Sequence, residues 1–291
     1  MQITVLGSAT SWYLNDLRRA AGDRHEIVRG SFETLTATVG QSPMRINDGN
    51  VALEKADAVI VRTMPAGSLE QVVFRMNAIA RLAATGVPVV NSPRSLEVAI
   101  DKYLALAQLE AAGFRVPATV CCQEHHAAMD AFESLGGDVV VKPLFGSEGR
   151  GMMRVTDPDI ARRVFGTLTQ LNAVIYVQQF VPHDGKDIRL LVVGDEVFGM
   201  QRENERDWRT NVSRGGQGRP MKVTDDLAEQ AHRAAQAVGA TVCALDLLPA
   251  ADGEFYALEV NAVPGWRALS RANDVDIAAK VLRVVETLAN R

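Results

Sequence analysis

The sequence predicts a mixed fold, with an α/β amino-terminal part followed by an α+β remainder. Short apolar runs alternate with helical patterns over the first ninety or so residues, and pairs of strand patterns joined by turn signals fill the last hundred. The chain has 291 residues, of which 47% are hydrophobic and 23% charged, so it can bury a sizeable core. Intrinsic disorder is thereby excluded, and the length suggests about two domains.

The first part reads as a small parallel βαβ domain. Strand patterns cover residues 3–6, 27–28, 58–61 and 87–90, and a helical pattern covers 69–84. Gly7 follows the first strand, but residues 7–11 lack the further glycines of a dinucleotide-binding loop, which argues against a Rossmann cofactor site. Because Asn91, Ser92 and Pro93 interrupt the pattern, we predict a first domain of residues 1–92.

The second part begins with one predicted helix, capped by Ser95 and apolar from Leu96 to Leu109. Further strands are predicted at 116–122, 139–142 and 173–178, and further helices at 127–135 and 160–171.

The third part begins with a hairpin of 188–193 and 196–201, because Gly194 and Asp195 form a turn signal. A helix at 227–238, strands at 243–248 and 254–260, and a closing helix with apolar positions from 277 to 288 follow. We place these two domains at 93–180 and 181–291; segment 32–51 has too weak a pattern to assign.

Charge and hydropathy exclude several classes of protein. Lys and Arg total 31 against 35 Asp and Glu, a formal net charge of −4 without a long run of either sign, which argues against nucleic-acid and membrane-surface partners. Residues 164–183 lack charge but carry too many polar groups for a membrane span. The amino terminus shows no signal peptide, so we expect a cytoplasmic protein. Cys121, Cys122 and Cys243 are too few for a disulfide framework, and we interpret them as structural.

The strongest local signal is the lysine and glycine segment 142–151. A predicted strand delivers Lys142 into a loop that contains Gly146, Gly149 and Gly151. Such a loop exposes backbone N–H groups to phosphate oxygens, and the lysine adds a positive charge. It is not a P-loop, since no Lys-Ser or Lys-Thr follows the last glycine. The alternative is a plain flexible turn.

Two carboxylates and an amide form the second signal. Glu259 and Asn261 lie two residues apart on one predicted strand and therefore face the same side. If this strand pairs antiparallel with its predecessor, Asp246 faces them. Three hard oxygen donors on one face suit Mg²⁺. The alternative is a set of solvent-facing polar residues on a half-buried sheet.

An arginine-rich span between residues 202 and 219 is the third signal. Its basic residues alternate with acidic ones and surround Gly215 and Gly216, so it either closes over an anionic substrate, with the glycines as backbone donors, or is an ordinary solvated loop. Asp187 and Arg189 alternate on the strand that enters this region and either reach the same site or form a surface ion pair.

The order of these segments resembles the ATP-grasp carboxylate–amine ligases, specifically the RimK-like branch with its glutamate ligases, and is also similar to LysX. The resemblance spans the whole chain and is most specific at residues 142–151, 208–216 and 259–265. It implies an ATP-grasp fold with an amino-terminal Rossmann-like pre-ATP-grasp domain (1–92), a central and lid subdomain (93–180) and a carboxy-terminal subdomain (181–291). It further implies ATP and Mg²⁺, with Mn²⁺ as an alternative ion, and a homo-oligomer.

Residue roles follow from this resemblance position by position. It implies nucleotide contacts for Lys102, Lys142, Gly146, Ser147, Gly149, Gly151, Gln178, Gln179, Phe180, Val181 and Asp187, the last on the ribose. It implies catalytic roles for Arg189, Arg202, Asn211 and Arg214, and metal binding for Asp246, Glu259 and Asn261. Substrate contacts are expected from Arg62, Gly215, Gly216 and Trp266, although Arg62 has the alternative of capping a surface helix and Trp266 that of a buried structural residue.

Two positions depart from the family pattern. Gln179 stands where the hinge commonly has glutamate, so a charged contact to the adenine amino group becomes an amide one. Ser213 stands where the ribosomal-protein ligases have histidine, so the acceptor is left open. The implied reaction forms an amide through an acyl phosphate, adding L-glutamate to a small metabolite or cofactor, with a pterin-type one-carbon carrier as one candidate. The alternatives are glutamylation of a protein or carrier-protein carboxyl terminus and a non-catalytic ATP-binding regulatory module.

Overall fold

Three larger sheets and one short strand pair organise the described part of the chain. The computed structural model describes residues 1–40, 43–146, 148–250 and 252–290. The larger sheets have four, four and five strands in chain order, and the short pair has two. Among the described residues, no helix has the length and hydropathy of a membrane span.

The amino-terminal sheet is parallel, as the alternating pattern predicts. Its elements are β1 (Gln2–Leu6), α1 (Trp12–Ala21), β2 (Glu26–Gly30), β3 (Thr36–Ala37), β4 (Ile46–Asn47), β5 (Ala58–Val61), α2 (Leu69–Ala83) and β6 (Val89–Val90). The strand order is β2-β1-β5-β6, and every pairing is parallel. Strands β3 and β4 form a small antiparallel pair within the segment that the sequence left unassigned. Phe32 and Ile46 of that segment are buried in the core of this sheet, so it belongs to the domain interior.

The single helix predicted after residue 92 is wrong, because two helices occupy that stretch. They are α3 (Pro93–Ile100) and α4 (Lys102–Ala111). Asp101 separates them: its carboxylate accepts hydrogen bonds from the backbone N–H groups of Tyr103 and Leu104, at 2.9 and 3.1 Å. A side chain that takes these N–H groups begins a new helix. Ser92, not Ser95, caps α3, and Lys102 consequently lies in the first turn of α4.

The second sheet is antiparallel and carries the lysine and glycine segment. Its elements are β7 (Thr119–Cys122), α5 (His125–Ser134), β8 (Val139–Lys142), β9 (Met153–Val155), α6 (Pro158–Gln170) and β10 (Ile175–Gln179), in strand order β7-β10-β8-β9. Strand β9 was not predicted; three residues are too few for a clear alternation. Because β8 and β9 pair, the segment between them is the loop of a hairpin. Burial raises the pKa of the Cys121 thiol to about 11, which agrees with a structural role.

The third sheet has five strands and provides most of the charged groups of the site. Its elements are β11 (Lys186–Val193), β12 (Glu196–Glu203), β13 (Gln217–Met221), α7 (Asp225–Val238), β14 (Val242–Pro249), β15 (Phe255–Asn261), α8 (Arg267–Asn273) and α9 (Ile277–Ala289). The order is β13-β12-β11-β14-β15. The predicted β11–β12 hairpin is confirmed, with Val193 opposite Glu196.

Alternation along β11 assigns its two faces to different surroundings. Ile188, Leu190 and Val192 pack against α7 and α4 in one core. The opposite face is charged at Asp187 and Arg189 and becomes apolar at Leu191 and Val193, where it joins a core shared with β1, α1 and α9. The carboxy-terminal helices therefore connect the first sheet with the third, and the division at residues 92 and 180 stays a prediction.

Candidate active site

A cleft between the second and third sheets collects most of the predicted site residues. Its empty space, with the open solvent at its mouth included, is about 830 Å³. One part of its lining is apolar, with Val140, Met152, Val181, Leu248 and Leu258. The charged part is formed by Lys102, Lys142, Asp187, Arg202, Asp246 and Glu259. The lining thus combines an apolar region with a strongly charged one.

The register of the third sheet brings the charged groups together. Asp187 pairs with Arg202, Arg189 with Asp246, and Asp246 with Glu259. Opposite residues of antiparallel strands project to the same face, so one row of charges crosses four strands. The predicted approach of Asp246 to Glu259 is confirmed, and it depends on the β14–β15 pairing, which contains a register shift directly after Asp246.

These charges form a buried ionic network centred on Arg202. Arg189 donates two hydrogen bonds of 2.7 Å to Asp246. Arg202 donates a hydrogen bond of 2.8 Å to Asp246 Oδ2. It also donates to both carboxylate oxygens of Asp187, and the bond from Nε to Oδ1 is 2.7 Å long. Burial by itself would raise the pKa of Asp246, but the charges of Arg189 and Arg202 lower it below its ordinary value. Asp246 is therefore an ionised carboxylate held by arginines.

Asp187 has less freedom than its expected ribose contact requires. Its Oδ2 also accepts a hydrogen bond of 2.6 Å from Thr210 Oγ1, and its side chain is buried. Both carboxylate oxygens are thus engaged by protein groups. Asp187 lines the cleft, but here it anchors Arg202 and the loop that contains Thr210.

The predicted metal-binding residues, Asp246, Glu259 and Asn261, carry oxygen donors of the kind that Mg²⁺ takes. Glu259 is the accessible member: its side chain is 39% exposed and lies 3.8 Å from Arg189. Asp246 is held by the two arginines, and Asn261 Oδ1 accepts a hydrogen bond of 2.8 Å from the backbone of Val263. Carboxylate and amide oxygens are ligands that Mg²⁺ takes, so the residues fit this ion. Within the described ranges, no group of three or more His, Cys, Asp or Glu side chains is placed to hold a metal.

Lys102 and the glycine loop are joined directly. Lys102 Nζ donates to the carbonyl of Gly146 at 2.8 Å, and burial lowers its pKa. Gly149 has φ of +68°, and a Cβ atom there would lie 2.6 Å from Asn211 Oδ1, so the contact requires glycine. Gly146 and Gly149 line the cleft. Ser147, a predicted nucleotide contact, lies outside the described residues.

The hinge differs from its expected arrangement at Gln178. This side chain is buried and accepts a hydrogen bond of 2.6 Å from Lys142 Nζ, so it is not available to an adenine ring. Gln179 is exposed at the cleft, and the N–H of Phe180 donates to the carbonyl of Asp138 at 3.0 Å. Backbone contacts of residues 178–181 with a nucleotide stay a prediction.

Gly215 and Gly216, which are expected to be backbone donors to a substrate, donate within their own loop in this structure. Their N–H groups donate to the carbonyls of Val212 and Asn211 and close a tight turn. Gly216 is required for packing, because a Cβ atom would lie 2.0 Å from the carbonyl oxygen of Thr210. The pair therefore shapes the loop of residues 204–216.

This loop covers the cleft by touching the glycine loop. Ser213 Oγ donates to the carbonyl of Glu148 at 3.1 Å, and Arg214 reaches the carbonyl of Gly149 at 3.4 Å. Arg214 is exposed at this contact, whereas Asn211 lines the cleft. The two loops therefore meet above the charged row and form its roof.

Arg62 and Trp266 do not line the cleft, and their expected substrate contacts stay a prediction. Trp266 is fully buried, donates from Nε1 to Asp16 at 2.9 Å and packs edge-on against Tyr13. The guanidinium of Arg62 lies between these two rings, 4.6 Å from Tyr13 and 4.3 Å from Trp266, and donates to the carbonyl of Pro264. Both residues join the first sheet to the segment after β15. For Trp266, this burial agrees with the alternative of a buried structural residue.

Several residues that line the cleft were not among those predicted from the sequence. Trp208 and His183 line the cleft beside Phe180, with the Trp208 and Phe180 rings edge-to-face at a centroid separation of 5.9 Å. Trp208 lies within the recognised 208–216 segment, but nothing there indicated what it contacts. In the sequence, Leu248 and Leu258 have the pattern of ordinary strand residues. The structure shows that both line the cleft.

Comparison with known proteins gives one concordant result. Residues 99–285 match the family described as RimK-like ATP-grasp domain. A tetrahydromethanopterin:alpha-L-glutamate ligase of Methanosarcina acetivorans is 31% identical over 82% of this chain and 83% of its own. A ribosomal protein bS6–L-glutamate ligase of Escherichia fergusonii is 30% identical over 98% of this chain and 96% of its own. The ATP-grasp ligase PsnB, solved with a minimal precursor, Mg and ADP, superposes with a TM-score of 0.75 at 22% identity, covering 99% of this chain and 97% of that one.

Proposed function

Because the chain belongs to the RimK-like ATP-grasp family, we propose that it adds L-glutamate to a small metabolite or cofactor as an ATP-dependent, ADP-forming ligase. One observation carries the proposal: a single cleft is lined by Lys102, Lys142 and Arg202 together with the carboxylates Asp246 and Glu259. Cations for phosphate and hard oxygen donors for a divalent ion thus face the same space.

The two regions of the cleft suit the two ends of ATP. The apolar walls from Val140, Leu248 and Leu258 offer a slot for a flat ring beside the hinge. Lys102 and Lys142 lie at the charged region and would hold phosphate oxygens. We assign the nucleotide to this cleft, with its base toward the hinge and its phosphates toward the lysines.

The reaction requires two anions to meet. A carboxylate oxygen attacks the γ-phosphorus of ATP, the bond between the β- and γ-phosphates breaks, and ADP leaves. An amine then attacks the carbonyl carbon of the acyl phosphate, loses a proton, and expels inorganic phosphate to leave an amide. Positive groups lower the repulsion in the first step, and we assign Arg189 and Arg202 to that role.

Asp246, Glu259 and Asn261 would hold Mg²⁺, which when bound neutralises phosphate charge. In the structure Arg189 occupies both oxygens of Asp246. The roof formed by the glycine loop and residues 204–216 would exclude water, which otherwise hydrolyses an acyl phosphate. Asn211 and Arg214 belong to this roof, so we assign them to closure over the reacting groups.

The acceptor is the least constrained part of the proposal. A relative named as a tetrahydromethanopterin ligase supports a pterin-type carrier, and one named as a ribosomal protein bS6 ligase supports a protein carboxyl terminus as the second candidate. A non-catalytic binding module has no physical need for the complete ionic row, so we rank it last. A homo-oligomer, and Mn²⁺ as a substitute ion, are also proposals.

The test is ADP release by the purified protein with Mg-ATP and L-glutamate, with and without a small-molecule extract, and identification of glutamyl adducts by mass spectrometry. We expect glutamate-dependent ADP release and a glutamylated small molecule. An adduct only on an added protein would favour the second candidate. Binding of ATP without turnover under any of these conditions would contradict the ligase.

A matched pair of variants tests the site itself. Glu259→Gln keeps the side-chain shape but removes a charged metal ligand. We expect Mg²⁺-dependent ADP release to fall by about 100-fold or more. This loss exceeds the roughly 10–100-fold typical when a residue that only contacts a metal ligand is replaced. Glu254→Gln makes the same change at an exposed position in the β14–β15 turn and should leave the rate unchanged. An undiminished rate in Glu259→Gln would remove this cleft from consideration.

A further inference from the structure

Lys142 is a buried cation whose side-chain partner is neutral. It ends β8, is 9% exposed, and donates from Nζ to Gln178 Oε1 at 2.6 Å. Among the described residues, no carboxylate forms an ion pair with it; Asp246 and Glu259 on the facing sheet act on it only through longer-range attraction, and Lys102 repels it. Burial is the largest influence and lowers the pKa of Lys142 to about 8.

The orientation of the Gln178 amide is determined by its other neighbours. Thr119 Oγ1 donates its own proton to the carbonyl of Pro117 at 2.8 Å and can therefore only accept from Gln178. Gln178 Nε2 donates to Thr119 Oγ1 at 2.8 Å and to Tyr176 Oη at 3.2 Å. The amide oxygen must then face Lys142, because a flipped amide would place its NH₂ group against the ammonium.

Sheet pairing holds this chain of hydrogen bonds in place. Lys142 pairs with Tyr176 across β8 and β10, and Gln178 pairs with Thr119 across β10 and β7, so all four side chains share the face toward the cleft. An acceptor at this position limits the rotation of the long lysine side chain. An amide acceptor does so without cancelling the positive charge, whereas a carboxylate would form an ion pair.

We propose that Gln178 is a positioning residue for Lys142, fixing the direction of the ammonium group while leaving its charge free for nucleotide phosphates. The inference rests on the proposed assignment of Lys142 to ATP. It gives Gln178 a function that its expected adenine contact did not include, and it extends the site to Thr119, which orients the amide.

The decisive measurement is acetylation of Lys142 by acetic anhydride without ATP or Mg²⁺, quantified by mass spectrometry between pH 6 and 11. Only the neutral amine reacts, so the midpoint of the curve reports the pKa of Lys142. In the unchanged protein we expect this midpoint at about pH 8. Gln178→Glu should raise the midpoint by about one pH unit or more through a new ion pair. Gln178→Met, which removes the acceptor from the charged form, should lower it.

Opposite shifts from one position distinguish positioning from general damage, which would move both variants alike. Gln170→Glu, the same charge change on the exposed end of α6, should leave the curve unchanged. Thr119→Val keeps Gln178 but releases its amide, and should lower the midpoint less than Gln178→Met does. This variant decides the question if a Gln178 variant does not fold, and unchanged curves in the folded variants would overturn the proposal.

ATP affinity separates this inference from the proposed function. We expect both Gln178 variants to bind ATP about tenfold or more weakly. A tenfold loss corresponds to about 1.4 kcal/mol of binding free energy. Shifted acetylation curves together with these losses support both the positioning of Lys142 by Gln178 and the assignment of Lys142 to nucleotide phosphates. Shifted curves with unchanged ATP affinity would support the positioning of Lys142 but refute its assignment to phosphates.

Discussion

Replacing Arg202 by methionine should destabilise the fold more than any surface change in the same sheet. Arg202 is 3% exposed and joins β11, β12 and β14 through Asp187 and Asp246. Methionine fills a similar length without a charge. The substitution therefore leaves two buried carboxylates with fewer partners, which is the costly way to break a buried ion pair.

The two carboxylates are affected unequally. Asp246 keeps both hydrogen bonds from Arg189, whereas Asp187 keeps only the hydroxyl of Thr210 among its side-chain partners described above. One charge is thus left without a cation, and removal of a partner from a buried pair costs about 3–5 kcal/mol. With a urea m-value of about 3 kcal/mol/M, the midpoint of unfolding should fall by about 1–1.7 M.

Urea unfolding followed by far-UV circular dichroism measures this effect without any substrate. Arg219→Met is the matched control: Arg219 is on the neighbouring strand, 64% exposed and 3.3 Å from Glu203, and a surface pair contributes about 0–1 kcal/mol. Adding Asp187→Asn to Arg202→Met removes the stranded charge and should recover part of the loss. Equal midpoints for Arg202→Met and Arg219→Met, or a double variant no more stable than Arg202→Met, would show that the unpaired Asp187 charge is not what destabilises the fold.

Two further predictions concern the roof and a buried aromatic residue. Gly149→Ala should reduce ADP release about tenfold, because its Cβ would lie 2.6 Å from Asn211 Oδ1 and part the two loops. Because φ of +68° also strains alanine, the urea midpoint should fall by about 0.3–0.7 M; normal turnover would show that the contact between the two loops is dispensable. Trp266→Phe should cost about 1.5–3 kcal/mol of stability, since it removes a hydrogen bond of 2.9 Å to the Asp16 carboxylate. Its KM for the acceptor should stay unchanged, and a raised KM with normal stability would support the substrate role.

Local pattern was sufficient where neighbouring residues determine the structure. The β11–β12 hairpin follows from a turn signal between two strand patterns, and the meeting of Asp246 with Glu259 follows from a second turn and the two-residue period of strands. The break between α3 and α4 is also local, but the apolar pattern continues through Asp101 and hides it. That break puts Lys102 in the first turn of a helix beside the cleft.

Strand period, turn chemistry and motif order are properties of short segments, so they predict the three sheets in outline, the residues of the charged row and the two loops. What each side chain contacts depends instead on how these segments pack together. Gln178 faces Lys142 because Thr119 orients its amide, and Trp266 is buried because the segment after β15 packs on the first sheet. These contacts join residues far apart in the chain, and burial depends on what packs above a residue, which no local pattern encodes.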